Sequence, residues 1–315
     1  MVEIVLGLAA GFVILLVSSE VFVRGAIGLV KLLHWSPLVV GMTIMAIGTS
    51  MPELVVSMWS AFKGDTGLAV GNIVGSNIVN IFLIFGLGIA LGKIRIGTTK
   101  TPKNVLMMLV ATIGYVIWYY GWGGNPGWAI YFLAGAVVFT FLEIDWAMWG
   151  QKHEDAGMFS KKAGKSGRGS AGMLVIAIVG VAIGGIVVVK YIQQLSLILG
   201  WTSTFLGLTL SAIATSMPEL LVTVFSEKEH QDKLVVGNIV GSNGYNLLLV
   251  GGLAGLFGGR TSLAGVDWVF FLAAAVLAAG LVLGYRGRSI PRWWAGVMLA
   301  AFIGYIVTSA ILSAG

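Results

Sequence analysis

The chain contains no cysteine and three histidines among 315 residues. That removes disulfides and thiolate metal centres, and it leaves little for the His-rich sites that zinc, copper and iron prefer. Charge is scarce as well: Asp, Glu, Lys and Arg make up 10% of the residues, where soluble domains carry about 25%. No glycine-rich nucleotide loop is present, so ATP is not the energy source. What fills the gap is apolar: 57% of the residues are hydrophobic and the mean hydropathy is +0.95. The sequence is that of an all-α integral membrane protein.

Apolar runs of about 20 residues, the length that spans a bilayer, fall at 2–30, 37–62, 67–92, 103–121, 127–149, 171–194, 203–226, 233–257, 265–284 and 290–313. They predict ten transmembrane helices. Continuous apolar runs exclude a β-barrel, whose strands would be about 10 residues of alternating polarity. The first run lacks a basic leader and a small-residue cleavage site, so it reads as a helix and not a signal peptide.

The net charge of +6 reflects topology and not a nucleic-acid partner. Fifteen basic residues fall in the loops after spans 1, 3, 5, 7 and 9, while Lys63 and Arg260 lie on the opposite side. The positive-inside rule then places those five loops in the cytoplasm and both termini outside. A multi-pass plasma-membrane protein is expected, with the lipid bilayer as surroundings and no protein partner inferable.

A shift of 166 residues superposes the two halves. "GMTIMAIGTSMPE" from Gly41 meets "GLTLSAIATSMPE" from Gly207 with 9 of 13 positions identical, and "VGNIVGSN" from Val70 meets the same string from Val236. Each half holds five spans, an odd number, so the second enters the membrane the other way up. The expected organisation is a first five-helix repeat at 1–150 with its motif at 41–80, a flexible cytoplasmic linker at 151–170, and a second, inverted five-helix repeat at 171–315 with its motif at 207–246. Inverted repeats place substrate sites near the midplane, often on interrupted helices.

Within these apolar runs stand Glu53 and Glu219. Buried ionisable groups in a membrane are costly and mark pathways. Pro52 and Pro218 lack an N–H and disfavour helix at Met51 and Met217, so helices 2 and 7 are expected to break beside each acid. One face around Glu53 then presents Thr49, Ser57 and a loosened carbonyl at Ala46; the counterparts are Thr215, Thr223 and Ala212. In the following helices Asn72, Ser76 and Asn80, and Asn238, Ser242 and Asn246, step by four into polar stripes. Gly71 and Gly75, like Gly237 and Gly241, are spaced for close helix approach. Two carboxylates with neutral oxygens describe a hard-cation site: calcium takes 6–8 such oxygens, and magnesium's octahedral demand fits less well. Sodium uses the same ligands.

These doubled motifs, "GTSMPE" and "ATSMPE" each followed by "GNIVGSN", resemble those of the sodium/calcium exchanger family of calcium/cation antiporters. The resemblance spans the chain through the five-plus-five architecture. It implies calcium coordination by Glu53 and Glu219 with backbone oxygens of Thr49 and Thr215. It further implies sodium sites at Ala46, Ser50, Ser76, Ala212, Ser216 and Ser242 together with those four residues, and two more polar positions at Asn80 and Asn246. Potassium-dependent relatives carry an aspartate where Asn246 stands, which implies potassium independence here. Ala214 replaces the first glycine of the motif.

Three function classes are open to such a chain. A secondary antiporter, moving Ca2+ and Na+ as substrates without a cofactor, accounts for paired acids on interrupted helices. An intramembrane hydrolase would assign unequal roles to the halves, whose polar residues are nearly identical, so no enzyme activity is expected. A channel would need an open pore. Within antiporters, proton/calcium exchange is the alternative, since two carboxylates can trade Ca2+ for protons. Outside the site, Glu20 and Arg24 are expected to pair along one helix, and Glu143 and Asp145 are expected at a solvated helix end.

Overall fold

The structure is a computed structural model and describes residues 1–32, 45–97, 100–151, 167–228, 232–259 and 263–313. Apart from one antiparallel bridge between Arg95 and Ser289, the described residues with regular structure are helical. Among the described residues eight helices are long and apolar enough to span a membrane. The other two expected spans are helical where described: Met45–Thr49 and Met51–Phe62 in one, and Asp232–Tyr245, a π-helical turn Asn246–Val250 and Gly251–Gly255 in the other.

Burial separates two kinds of span. In the most apolar stretch of Thr66–Leu91, 83% of the residues are buried, whereas in Pro126–Asp145 and Trp293–Leu312 the share is 22%. The first is a central helix and the other two are peripheral, which suits their all-round apolar surface to lipid. The long equivalent helices Val2–Leu32 and Gly167–Leu199 pack along each other. Glycine lets them approach: a Cβ at Gly184 would lie 2.9 Å from the backbone nitrogen of Leu15.

Contacts fix the ends of the central helices. Thr66 donates to the carbonyl of Gly258 at 3.3 Å, while a Cβ at Gly88 would meet Ile94, Thr223 and Val235 within 3.1–3.3 Å. Thr66–Leu91 therefore starts where the chain leaves the helix that begins at Asp232, and ends where that helix starts. Equivalent central helices run in opposite directions. The basic loops at 92–97 and 285–292 hydrogen-bond to each other, Ile96 with Gly287 and Arg288, and Ile290 with Ile94, on the Val235 end of the bundle. Lys63 sits at the other end beside Asp65.

Some details differ from expectation. The interruptions fall at Ser50 and Ser216, with φ/ψ of −82°/5° and −81°/7°, and not at Met51 and Met217, which are the first residues of the next helix. Proline is tolerated in a first turn, so Pro52 and Pro218 start helices there and displace the irregular residue upstream. Helices enter the expected linker from both sides, at Gln151 and Gly167; residues 152–166 lie outside the described residues. Glu143 is buried at 3% exposure, a correction to the solvated helix end expected for it. Its helix packs against the turn Asn246–Val250, which covers that face. Arg24 does bond Glu20 on an exposed face.

Candidate functional site

The site forms where the two interruptions meet the two polar stripes. Gly75 controls the approach: a Cβ there would lie 2.4 Å from the Leu208 carbonyl and 2.8 Å from the Ala212 Cβ. Its equivalent, Gly241, faces Ala46, where an added Cβ would stand 3.2 Å away. Each stripe helix thus lies against the interrupted helix of the other half. Pro52 and Pro218 leave the carbonyls of Gly48 and Ala214 without a helical donor. Hydrogen bonding otherwise runs through the interruptions, from Ser50 N to Ala46 O at 3.2 Å and from Ser216 N to Ala212 O at 3.1 Å.

All twelve sequence-predicted residues are fully buried or nearly so: Ala46, Thr49, Ser50, Glu53, Ser76, Asn80, Ala212, Thr215, Ser216, Glu219, Ser242 and Asn246. Many are joined across the repeats. Ser216 Oγ donates to Glu53 Oε1 at 3.2 Å. Thr49 Oγ1 lies 3.2 Å from Ser242 Oγ and 3.3 Å from the Ala46 carbonyl. Thr215 Oγ1 bonds the Ala212 carbonyl at 3.4 Å, and Asn246 Nδ2 reaches Ser76 Oγ at 3.4 Å. Asn80 Nδ2 donates to Asn243 Oδ1 at 2.9 Å. Glu53 is close enough to Glu219 for their charges to interact, and the hydroxyls of Thr49 and Ser242 face Glu219 without closing a hydrogen bond to it.

What stays unbonded is more informative. Glu53 Oε2, both carboxylate oxygens of Glu219, Asn80 Oδ1, Asn246 Oδ1 and Ser50 Oγ are buried with no hydrogen-bond partner. Buried polar atoms are normally satisfied, so six orphaned oxygens in one polar centre need an electropositive partner. A hard cation supplies it, since such ions bind carboxylate, amide, hydroxyl and carbonyl oxygens. Among the described residues no group of three or more His, Cys, Asp or Glu could hold a metal. Three of the six oxygens are carboxylate and three are neutral, a modest charge that suits a site that releases its ion.

Two contributors escaped the sequence reading. Asn77 and Asn243, the last residues of "VGNIVGSN", link the stripes: Asn243 accepts from Asn80 and donates to the Asn77 carbonyl at 3.3 Å, while Asn77 donates to Ile73 O at 2.7 Å. Their doubling in the repeat was the available signal. The second is backbone geometry. Asn80 and Asn246 each sit at the start of a π-helical turn, Val79–Phe85 and Asn246–Val250. The even four-residue stripe therefore ends just before them. π-turns concentrate at functional sites, and nothing in the local sequence marks these two.

A multi-spanning helical bundle with paired carboxylates among orphaned oxygens at its centre defines an ion transporter. Comparison with known proteins gives its family. The sodium/calcium exchanger protein family matches twice, over residues 3–144 and 169–311, and the chain belongs to it. It is a membrane transporter of the antiporter class and not an enzyme. It is 32% identical over 308 residues to CaxA of Alkalimonas amylolytica, a candidate antiporter, covering 94% of this chain and 95% of that one. It is 28% identical to the sodium/calcium exchanger MaX1 of Methanosarcina acetivorans, covering 95% and 96%. Among solved structures it is similar to the sodium-calcium exchanger NCX_Mj soaked with Na+ and Ca2+, with a TM-score of 0.67, 26% identity and 98% of each chain covered.

Proposed function

We propose that the chain exchanges Na+ for Ca2+ across the plasma membrane by alternating access. It would use ten spans arranged as two inverted five-helix repeats, with both termini outside. The observation that carries the reading is the set of six buried oxygens without partners, three of them carboxylate, contributed by both halves. Glu53 and Glu219 ligate one Ca2+ together with oxygens of Thr49 and Thr215. Sodium uses the same acids with Ala46, Ser50, Ser76, Ala212, Ser216 and Ser242, and Asn80 and Asn246 add dipoles without charge.

Two carboxylates neutralise one Ca2+ or two Na+. With Asn at 246, potassium has no acid of its own, so exchange is potassium-independent. At three Na+ per Ca2+ one net positive charge moves with sodium. A membrane potential then acts with about 2.3 kcal/mol per charge per 100 mV, roughly 50-fold in the equilibrium ratio.

The test is calcium uptake into sodium-loaded, potassium-free proteoliposomes. Uptake driven by outward sodium, and raised at equilibrium by an inside-positive potential, supports the reading. Uptake driven instead by an outward proton gradient replaces it with proton/calcium exchange. A requirement for added K+ removes the Asn246 argument, and insensitivity to potential means a two-to-one, electroneutral cycle.

A further inference from the structure

The two ends of the bundle are held unequally, and the difference is written in the sequence. At the Asp65 end, Asp65 Oδ1 caps its own helix through Leu68 N at 3.0 Å and accepts from Ser203 Oγ at 2.7 Å. Its Oδ2 accepts from Gln193 Nε2 at 3.1 Å. One layer deeper, Asn72 Nδ2 donates to Ser57 Oγ at 3.0 Å, while its Oδ1 accepts from Ser211 Oγ at 2.6 Å and Thr215 Oγ1 at 3.4 Å. Between the layers the helices touch: a Cβ at Gly71 would lie 2.6 Å from the Thr204 carbonyl. Two layers of hydrogen bonds join the first half to the second on this side of the acids.

At the Val235 end the described counterparts of Asn72 and Ser57, 166 positions away, do not form such a layer. Asn238 stands for Asn72, and both its side-chain polar atoms are buried without a partner; Thr223 stands for Ser57, and its Oγ1 is also unpartnered. Thr49 stands for Thr215 and keeps the matching bond to the Ala46 carbonyl, but its other partner is Ser242 and not Asn238. Ser211 is replaced by Met45, Ser203 by Pro37, Gln193 by Ile27 and Asp65 by the uncharged Gln231. Met, Pro and Ile side chains donate no hydrogen bond, so the bonds that Ser211, Ser203 and Gln193 donate at the first end have no counterpart at the second.

We propose that Asp65, Asn72 and Ser211 form a two-layer clasp that holds the ion-free transporter closed at the Asp65 end, making them positioning residues that decide which face of the site opens at rest. The proposal rests on the alternating-access reading but not on the identity of the exchanged ions. In a two-state equilibrium only interactions that differ between the states shift the populations, and these bonds differ between the ends. The geminate consequence is directional: the site loads first from the Val235 end.

The test exploits the absence of native cysteine. Ser60→Cys places a thiol on the helix that ends at Lys63, at the Asp65 end, and Ser226→Cys places one at the equivalent position of the other end. The protein in lipid nanodiscs, without Na+ or Ca2+, is labelled with a hydrophilic maleimide. The thiol at 226 should react fast and that at 60 slowly. Adding Asp65→Ala with Ser211→Met should raise the rate at 60 by about tenfold or more, the worth of one to two net hydrogen bonds, and lower it at 226. A destabilised fold raises both rates, so a joint rise, or no change, overturns the clasp. Because the labelling is read without Na+ or Ca2+ and at one fixed pH, proton-driven exchange in proteoliposomes would change the proposed function and leave this result standing.

Discussion

The two halves carry nearly the same polar residues and use them differently. Glu53 accepts a hydroxyl from Ser216, whereas the symmetry-related Ser50 has no partner and Glu219 accepts none. Asn72 has three side-chain partners and Asn238 has none. Asn243 spans to the other stripe while Asn77 folds back on its own helix. On the proposed reading of two inverted repeats, each residue meets two environments, and the opposed positions display both. The difference between the halves would then be a catalogue of the contacts that alternating access has to exchange.

The largest effect should erase the difference at the acids. Glu53→Gln and Glu219→Gln each remove half the formal charge of a shared site, and each should abolish calcium transport although only Glu53 accepts a hydrogen bond; near-normal flux in either variant would separate the two acids. Protons should act similarly on both. Each carboxylate must be free of its proton to hold a cation, so calcium uptake should fall between pH 8 and pH 5, by up to about tenfold per pH unit for each competing proton, and a flat profile would contradict competition at the site.

The glycines sharpen the comparison through packing. Gly75→Ala forces a Cβ to 2.4 Å from a backbone carbonyl, but Gly241→Ala brings one only to 3.2 Å from another methyl. Thermal unfolding in detergent should show a loss of about 1–3 kcal/mol for the first and clearly less for the second. Equal losses would mean that the two stripe helices pack alike. The smallest effect is expected at the interruptions. Ser216→Ala deletes the bond to Glu53 and should weaken calcium binding by about 1–2 kcal/mol, against little change for Ser50→Ala; isothermal titration of both variants decides it, and equal changes would show that the serines are interchangeable.

How much was legible beforehand depended on whether the signal was local. The offset of 166, the acids beside prolines, and most span positions follow from composition and repetition, and eight membrane-length helices among the described residues fall where hydropathy placed them. The acids also gather with the predicted hydroxyls and amides, since a duplicated polar motif in an apolar chain has few other places to go. The π-turns at Asn80 and Asn246 were not legible, because backbone register there is set by packing between helices. The shift of the interruption from Met51 to Ser50 was missed because proline was weighed as a breaker and not as a first-turn residue. Glu143 was read from its place near a helix end, while a neighbouring helix determines its burial. Asp65 and Ser211 pair with residues 138 and 139 positions away, beyond any local pattern.

The reach of those contacts has a consequence during synthesis. Ser216, which bonds Glu53, is 163 residues further along the chain, and Ser242, which bonds Thr49, is 193 residues further. At about 5–20 residues per second the first acid waits roughly ten to thirty seconds in or beside the bilayer before its partner has been made. A newborn first half is therefore an unfinished membrane protein with an uncompensated carboxylate at its centre, and the cost of holding that charge falls on the insertion machinery and the surrounding lipid. Truncations before residue 167 should accordingly be short-lived in cells, even though four described helices of that half have the length and hydropathy required to insert.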